Sequence, residues 1–488
     1  MLSKPTRPAL LIAACALMLL GNACSDDDNN NAAEPDNNAP NNAADANDGD
    51  ADPPPMDASD DDITDQPDAD PPPPPDFTDP ATPPPCQSDR NPIIAAHGFL
   101  ASGDTYALHA LRLASNGYCL DRIHPFDWNT LDGDAPNEDL LDAFIDKVLA
   151  DNNAAQVDLW GHSAGGNLGY SYLSEPQRAA KVAHYVHIGS FVNEGPAGPA
   201  DNPVPTLNLW SQGDLIIDPK DDIPGATNVS LQTEDHYAVA TSEASFTAIY
   251  NFITDGQEPQ TTTVTPEDTL YISGKALSLG ENAPVVEGVV TIFALDDQGK
   301  RQGDPVAVFP TDELGHWGPF IAQPQTHYEM RVQPPGPDAT PVHYYREPFT
   351  RSNDMVYLRT LPGPGSLAGT LLSIIPFKTG EAVTVIFMSS RALNDTTDTL
   401  TIGDLTLSTP EVASPDQTTI AIFLYDANGD GETQGTAVST FGSFPFLNAV
   451  DAALPADGQP IDITLNGRTL TVEPWSAAEE GATIAVFD

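Results

Sequence analysis

Apolar and polar residues alternate in two different ways along this chain, and the change comes near residue 257. Before it, short apolar runs separate stretches in which apolar residues recur at helical spacing. The runs predict buried strands at residues 93–96, 157–160, 182–188, 206–210 and 228–231. The amphipathic stretches predict helices at residues 104–115, 137–150, 164–174 and 242–254. This alternation predicts a parallel sheet covered by helices on both faces, over residues 86–257.

Beyond residue 257 the helical spacing disappears. Short strand-like runs alternate with turns rich in Gly, Pro, Asn and Asp, at residues 270–272, 289–294, 306–309, 383–388, 419–425 and 483–487. This pattern predicts an all-β region of the sandwich or barrel type over residues 258–488. The Pro-Gly-Pro-Gly run at residues 362–365 would divide that region into two lobes near residue 365.

The first 24 residues have the pattern of an export signal. Lys4 and Arg7 precede an apolar core at residues 10–20, and Cys24 follows a run of small residues. A cysteine at that point resembles the lipidation site of bacterial lipoproteins, although Gly21 stands where a leucine is usual. The sequence therefore predicts a lipid anchor at Cys24 and a place on the bacterial cell surface or outer membrane. An ordinary secretory signal and an extracellular protein is the alternative.

Residues 25–85 consist almost wholly of Asp, Asn, Ala and Pro. Such a segment buries too little apolar area to offset the entropy of ordering, so we expect a disordered tether. The whole chain has 19 Lys and Arg against 71 Asp and Glu, a formal net charge of −52. This charge argues against nucleic acid as a partner, because the two polyanions would repel each other.

The four cysteines divide by position. Cys15 lies in the signal core and Cys24 at the lipidation site, which leaves Cys86 and Cys119 in an oxidising compartment. We predict a disulfide between these two, with two free thiols as the alternative.

The pentapeptide Gly161-His162-Ser163-Ala164-Gly165 carries the clearest chemical signal. It fits Gly-x-Ser-x-Gly and stands between a predicted strand and a predicted helix, the setting of a turn that exposes a serine hydroxyl. On this motif and its setting, the chain resembles the α/β-hydrolase family. The resemblance implies that Ser163 is a nucleophile.

A serine hydroxyl needs a base to remove its proton and a carboxylate to orient that base. In the family they follow the serine in the order acid, then histidine. Asp214 follows the strand at residues 206–210, and His236 lies between the strand at 228–231 and the last helix. We therefore predict the triad Ser163, Asp214 and His236.

The family also uses two backbone N–H groups to stabilise the oxyanion of the reaction. One belongs to the residue after the nucleophile, here Ala164. The other belongs to the loop after the first strand, where His97-Gly98-Phe99 matches the family motif and indicates Phe99. His97, His162, His184 and His187 are interpreted as structural.

Three segments extend the resemblance to a two-domain archaeal lipase with a C-terminal β-barrel that assists lipid binding. They lie at residues 178–184, 342–349 and 474–477. Gly189 stands where that lipase has its acid, so the acid here must be Asp214. Only residues 129–136 fill the place of its lid, as in small lidless bacterial lipases. We therefore expect an open groove that prefers short or medium acyl chains, unless the β region supplies an apolar wall.

Asp426, Asn428 and Asp430 have the spacing of a calcium loop, but Ala437 stands where a carboxylate should close it. A hairpin turn explains the same residues, and calcium binding is left open. No metal or cofactor is predicted.

Together these features predict a serine carboxylic ester hydrolase, a lipase or carboxylesterase, that acts on acylglycerols or other esters through an acyl-enzyme. A polyester depolymerase is the alternative within this chemistry. A non-catalytic surface-binding lipoprotein is the alternative of another class, and the complete triad with both oxyanion loops argues against it.

Overall fold

The computed structural model describes residues 76–488 apart from Asp338, Pro364, Gln417 and Ser443. The predicted signal segment, the lipidation site at Cys24 and residues 25–75 of the tether lie outside this part. Residues 76–85 have no regular secondary structure. Two of their N–H groups, those of Thr78 and Ala81, donate to the backbone oxygens of Val308 and Pro319 at 2.8 Å each. The end of the tether therefore lies along the β region.

A six-stranded parallel sheet forms from the first half of the chain. Its strands are β1 (Ile93–Ala96), β2 (Ile123–Phe126), β3 (Val157–His162), β4 (Val182–Ile188), β5 (Thr206–Ser211) and β6 (Thr227–Leu231). They lie in the order β2-β1-β3-β4-β5-β6 and every neighbouring pair is parallel. The predicted fold class is confirmed, with β2 as a strand that the apolar pattern did not indicate.

Helices cover both faces of this sheet. They are α1 (Ala107–Ser115), α2 (Asn137–Asp151), α3 (Ala164–Leu173), α4 (Pro176–Ala179) and α5 (Glu243–Ile253). Helix α5 begins where the Ser242 hydroxyl accepts a hydrogen bond from Ser245 N (3.1 Å), an N-cap that satisfies one free donor of the first turn. One apolar core contains Trp160 and Phe246, and the other contains Leu159 and Ile145, so each face of the sheet is buried.

Short strands make up most of the regular secondary structure in the second half of the chain. They are β7 (Leu270–Ser278), β8 (Val289–Ala294), β9 (Ala307–Pro310), β10 (His316–Ala322), β11 (Tyr328–Gln333), β12 (Val342–Arg346), β13 (Asn353–Thr360), β14 (Glu381–Met388), β15 (Leu400–Ile402), β16 (Leu405–Thr406), β17 (Ala421–Tyr425), β18 (Ala437–Val438), β19 (Leu447–Asp451), β20 (Leu454–Pro455), β21 (Ile461–Leu465), β22 (Arg468–Val472) and β23 (Ala482–Phe487). Three short helices interrupt them, α6 (Leu367–Leu372), α7 (Pro410–Ala413) and α8 (Ala477–Glu480). The predicted all-β character is confirmed.

The strands of the β region form three sheets. The sheet β10-β7-β13 has three strands, and the sheet β16-β15-β21-β22 has four. The largest sheet runs β18-β19-β17-β14-β23-β12-β11-β8-β9, with β20 paired to β14. This sheet contains strands from both sides of residue 365. The last strand, β23, lies parallel to β12, which precedes that residue, and to β14, which follows it.

Two of the segments that resemble the archaeal lipase meet in this region. The His343 ring stacks on Trp475 with ring centres 4.6 Å apart, and Trp475 Nε1 donates to Tyr345 Oη (2.9 Å). Beneath them the buried Glu329 carboxylate contacts His343 Nδ1 (2.6 Å) and Arg301 (2.6 Å). A buried charge of this kind is stable only when it is paired, as here.

The β region also packs directly against the parallel sheet. Leu277, Met355 and Tyr357, from β7 and β13, belong to the same buried cluster as Ile93 and Trp160. Among the described residues, no helix has the length and apolar composition needed to cross a bilayer.

The predicted disulfide between Cys86 and Cys119 is present. Its Cα atoms are 5.7 Å apart, and it links residues separated by 33 positions. The bridge joins the segment before β1 to the turn before β2.

Candidate active site

Ser163 occupies a sharp turn between β3 and α3. Its backbone angles are φ +53° and ψ −116°, a conformation that costs free energy for a residue with a side chain. The flanking glycines permit the turn. A Cβ on Gly161 would lie 2.3 Å from the Gly165 oxygen, and a Cβ on Gly165 would lie 2.3 Å from the Ala96 oxygen. The strained turn at Ser163 therefore requires glycine at both position 161 and position 165.

Asp214 and His236 follow β5 and β6, at the same carboxyl-terminal end of the parallel sheet as Ser163. His236 Nδ1 lies 2.8 Å from Asp214 Oδ2 with both side chains buried. Burial alone would raise the pKa of Asp214, but the His236 ring and the N–H groups of Ile216 and Ile217 hold that pKa below its ordinary value. The carboxylate therefore stays ionised and fixes the proton on Nδ1, which leaves Nε2 of His236 available as a base.

His162 holds the histidine loop beside the serine. Its ring centre is 4.8 Å from that of His236, and its Nε2 donates to the His236 backbone oxygen (2.8 Å). His162 immediately precedes Ser163, so this contact brings the base to the nucleophile turn. Burial lowers the pKa of His162 to about 3, which keeps its ring neutral. The structure thus joins Asp214 and His236 by a hydrogen bond, and the His162 contact holds His236 beside the turn that carries Ser163.

The two predicted oxyanion donors also lie at this turn. Ala164 is the first residue of α3, and a helix leaves the N–H groups of its first turn without internal partners. The Phe99 loop touches the turn at Gly98, where a Cβ would lie 3.1 Å from Ser163 Cβ. Among the described residues no acceptor is found for the N–H of Phe99. Both donors are therefore free to bind an oxygen placed next to Ser163.

A cavity of about 140 Å³ opens beside His236 and the Phe99 loop. Its remaining wall is mostly apolar and comes from the β region, with Leu279, Leu371, Leu372, Phe387, Ile420, Phe423, Phe441, Phe444, Phe446 and Leu447. The short segment at residues 129–136 does not cover the site. The β region supplies an apolar wall, which is the exception allowed for when an open groove with a preference for short or medium acyl chains was expected.

Three contacts around the site have no signal in the sequence. The Phe446 ring stacks against His236 with centres 6.0 Å apart. Asp235 Oδ2 accepts from Ala392 N (3.0 Å), and Asn282 Nδ2 donates to His97 Nε2 (3.1 Å). Each joins residues more than 150 positions apart, which no local pattern reveals.

His184 and the calcium-like loop at residues 426–430 have hydrogen-bond or ion-pair partners within the protein. His184 Nδ1 bonds Asp158 Oδ1 (2.8 Å). In the calcium-like loop, Asp426 Oδ2 lies 2.9 Å from Lys378 Nζ and Asp426 Oδ1 accepts from Gly429 N (2.8 Å). The part of the chain that the structure describes holds no group of three or more acidic, His or Cys side chains arranged to bind a metal ion.

Two family comparisons match the β region. Residues 268–361 match the lipase C-terminal domain family, and residues 390–488 match a second family of C-terminal domains. The two matches lie on either side of residue 365.

Solved structures similar to this chain include three hydrolases. A Bacillus licheniformis lipase in its mature form is 15% identical, with 34% of this chain and 94% of that one covered and a TM-score of 0.28. A marine microorganism esterase is 13% identical over 34% of this chain and 97% of that one, with a TM-score of 0.25. Aspergillus fumigatus lipase B is 13% identical over 36% of this chain, which spans about half (54%) of that lipase, with a TM-score of 0.27.

Proposed function

We propose that this chain, an α/β-hydrolase that carries a lipase C-terminal domain, is a serine ester hydrolase of the lipase and carboxylesterase type. The observation that carries the proposal is the hydrogen bond between Asp214 and His236, at the ends of β5 and β6 and next to Ser163 on its strained turn. A nucleophile, a base and an orienting acid in these positions have the roles that acyl transfer requires.

The reaction proceeds in two halves. His236 Nε2 takes the proton of Ser163 Oγ while that oxygen attacks the ester carbonyl carbon, and the carbonyl oxygen becomes an oxyanion held by the N–H groups of Phe99 and Ala164. The intermediate then expels the alcohol, which receives the proton from His236 and leaves the acyl group on Ser163. Water then loses a proton to the same ring and attacks the acyl carbon. The ring returns that proton to Ser163 Oγ as the acid leaves. Asp214 stabilises the imidazolium throughout.

The apolar cavity supports an ester with an apolar acyl chain as the substrate, with acylglycerols as the natural class. Phe446 and Leu372 are among the β-region side chains that would remove such a chain from water. Burying one methylene is worth about 0.8 kcal/mol, so each carbon that enters the cavity strengthens binding of the transition state about fourfold. Esters of medium and long acyl chains should therefore be preferred over acetate.

A p-nitrophenyl ester ladder from acetate to palmitate tests this function. We expect wild-type activity that increases with chain length beyond acetate, and activity at background for Ser163→Ala. Ser171→Ala is the matched control, because Ser171 is a solvent-exposed serine on the same helix. Ester hydrolysis that survives in Ser163→Ala would reject the proposal. Release of soluble products from a polyester film would favour the depolymerase alternative.

We also propose that the protein is exported and anchored through Cys24. The disulfide between Cys86 and Cys119 supports an oxidising compartment, because such bonds persist outside the cytoplasm. Metabolic labelling with a clickable palmitate analogue tests the anchor. We expect label in the wild type and none in Cys24→Ala. A soluble, unlabelled wild type would reject the lipid anchor and favour an ordinary secretory signal.

A further inference from the structure

A side chain of the β region holds the loop that carries the Phe99 N–H. This loop, residues 97–102, joins β1 to a 3₁₀ turn at Gly103–Tyr106. Asn282 lies in the turn between β7 and β8, and its Nδ2 donates to Ala101 O at 2.8 Å. The same nitrogen lies 3.1 Å from His97 Nε2 and 3.1 Å from Trp128 O. The amide is buried, with 7% of the residue exposed.

The three acceptors require a donor at this position. His97 Nδ1 lies 2.8 Å from Gly98 O, so it carries the proton and Nε2 accepts. Ala101 and Trp128 offer carbonyl oxygens, which only accept. An amide NH₂ is a neutral donor with two hydrogens, which these three acceptors share. The backbone of Asn282 has φ +57°, a left-handed conformation that Asn adopts more readily than most residues.

Further contacts from the β region fix the end of the same loop. Arg359 of β13 donates to Ser102 Oγ and to Asp104 Oδ1. Asp127 accepts from Gly103 N (2.8 Å) through one carboxylate oxygen and from Lys275 Nζ (2.7 Å) through the other. The loop is therefore anchored at its start, through His97, and at its end, through Ala101 and Ser102, by groups on β13 and in the turn after β7.

We infer that Asn282 is a positioning residue for ester hydrolysis, which fixes the Phe99 N–H where the oxyanion forms. Asn282 holds His97 and Ala101, and only three residues separate those two, with Phe99 at the centre. An oxyanion donor works at 2.7–3.1 Å from the oxygen, and a displacement of about 1 Å can cost on the order of 100-fold in rate. This inference rests on the proposed function and adds a β-region residue to its machinery.

The test compares Asn282→Gly with Asn466→Gly. Asn466 is a matched control because it also has a left-handed backbone (φ +51°) and also bonds through its amide, to Asp398 Oδ1 at 2.8 Å. Glycine tolerates that backbone, so each variant loses mainly the amide. Each is assayed for kcat and KM on p-nitrophenyl butyrate, for inhibition by an alkyl trifluoromethyl ketone, and for thermal unfolding.

We expect Asn282→Gly to lower kcat about tenfold or more, with KM within about twofold of wild type. The ketone forms a tetrahedral oxyanion on Ser163, so its affinity should weaken by a factor similar to the loss in kcat/KM. A purely structural role would not produce this match. Asn466→Gly should keep wild-type kcat and ketone affinity.

Three outcomes would overturn the inference. One is a kcat within twofold of wild type in a folded Asn282→Gly protein. Another is a loss of activity without a parallel loss of ketone affinity.

If Asn282→Gly does not fold, Asn282→Asp replaces it, because Asp keeps the shape of the side chain and lacks the donor. Failure of both variants to fold is the third outcome, and it would make Asn282 a residue needed for folding only. A wild type with no Ser163-dependent activity would reject the proposed function as well, whereas an active wild type with unaffected variants rejects this inference alone.

Discussion

Ser163 has its hydroxyl at the edge of the sheet because the chain turns there at φ +53°, between two glycines that no larger residue could replace. Asp214 and His236 reach the same edge because each follows a parallel strand, and the carboxyl ends of parallel strands lie together. Each residue of such a triad depends on the next. A serine becomes a nucleophile only with a base beside it, and the base accepts the proton only when a carboxylate orients its ring.

Substitution of the acid tests the assignment of Asp214, which depends on its position after β5. Asp214→Asn keeps the shape of the side chain but can present an amide N–H to His236 Nδ1, which favours the wrong tautomer. We expect kcat to fall by a factor on the order of 10³–10⁴ with a wild-type unfolding temperature. Asp222→Asn, an exposed acid in the same region, is the control. A near-normal kcat in Asp214→Asn would move the role to another carboxylate.

Buried neutral histidines should make the fold sensitive to acid. Burial lowers the pKa of His162 to about 3 and that of His187 to about 4, below the value of about 6.5 expected in the unfolded chain. Below pH 6.5 the unfolded chain therefore takes up protons that the folded chain does not, and stability falls until the folded pKa is reached. Each histidine contributes up to about 1.4 kcal/mol per pH unit.

Guanidinium unfolding at pH 7 and pH 5 measures this effect. The free energy of unfolding should be lower at pH 5, and the difference should shrink in His187→Gln if that variant folds. Equal free energies at both pH values would mean that these rings do not stay neutral in the folded protein.

At the scale of elements, the apolar wall of the site comes from helix α6 and from the segment that leads into β19. Leu372 ends α6, and Phe446 immediately precedes β19. The expectation of an open groove came from the short segment at residues 129–136, where a lid is inserted in the lipase that this chain resembles. The sequence could show that this segment is short, but not that a helix some 235 residues later would form part of the cavity wall, because no local pattern encodes long-range contact.

Filling the cavity should shift the acyl-chain preference. Leu372→Trp adds bulk to the cavity wall, so we expect the ratio of kcat/KM for decanoate to that for acetate to fall about tenfold or more. Ile374→Trp is the control, because Ile374 lies two residues away and is 58% exposed. An unchanged ratio in Leu372→Trp would place the acyl chain outside this cavity.

The elements themselves were predicted unevenly. Buried parallel strands such as β1 appear in the sequence as continuous apolar runs, and amphipathic helices such as α2 show their spacing, so both could be found. Strand β2 contains His124 and Pro125 among its four residues and has no such run. In the β region most strands are short and pair with partners distant in the sequence. The residues of β23 do not indicate that this strand lies between β12 and β14.

At the scale of the whole molecule, the β region is joined to the catalytic sheet by polar and apolar contacts. Leu277, Met355 and Tyr357 are buried in the core of the sheet, and Lys275 forms an ion pair with Asp127 at 2.7 Å. Removal of the β region would expose this core and leave Asp127 without its cation. The β region therefore shares a buried core with the parallel sheet and also forms a wall of the cavity beside His236.

Truncation after Gln257 tests this integration. We expect the shortened chain to lose activity on soluble short esters as well as on emulsified long-chain triglyceride, and to unfold at a lower temperature. Titration with a fluorophosphonate, which counts competent serines, separates unfolded protein from a folded but slow enzyme. A truncated chain that keeps full activity on butyrate esters and loses it only on emulsions would limit the β region to lipid binding.

The proposed function is tested most directly by identifying the residue that carries the acyl group. The protein is mixed with p-nitrophenyl octanoate, quenched in acid within milliseconds and mapped by mass spectrometry, with Ser163→Ala treated in parallel. We expect one octanoyl group on the peptide that contains Ser163 and none in the variant. An acyl group on another residue, or rapid hydrolysis that continues in Ser163→Ala, would contradict the proposed function.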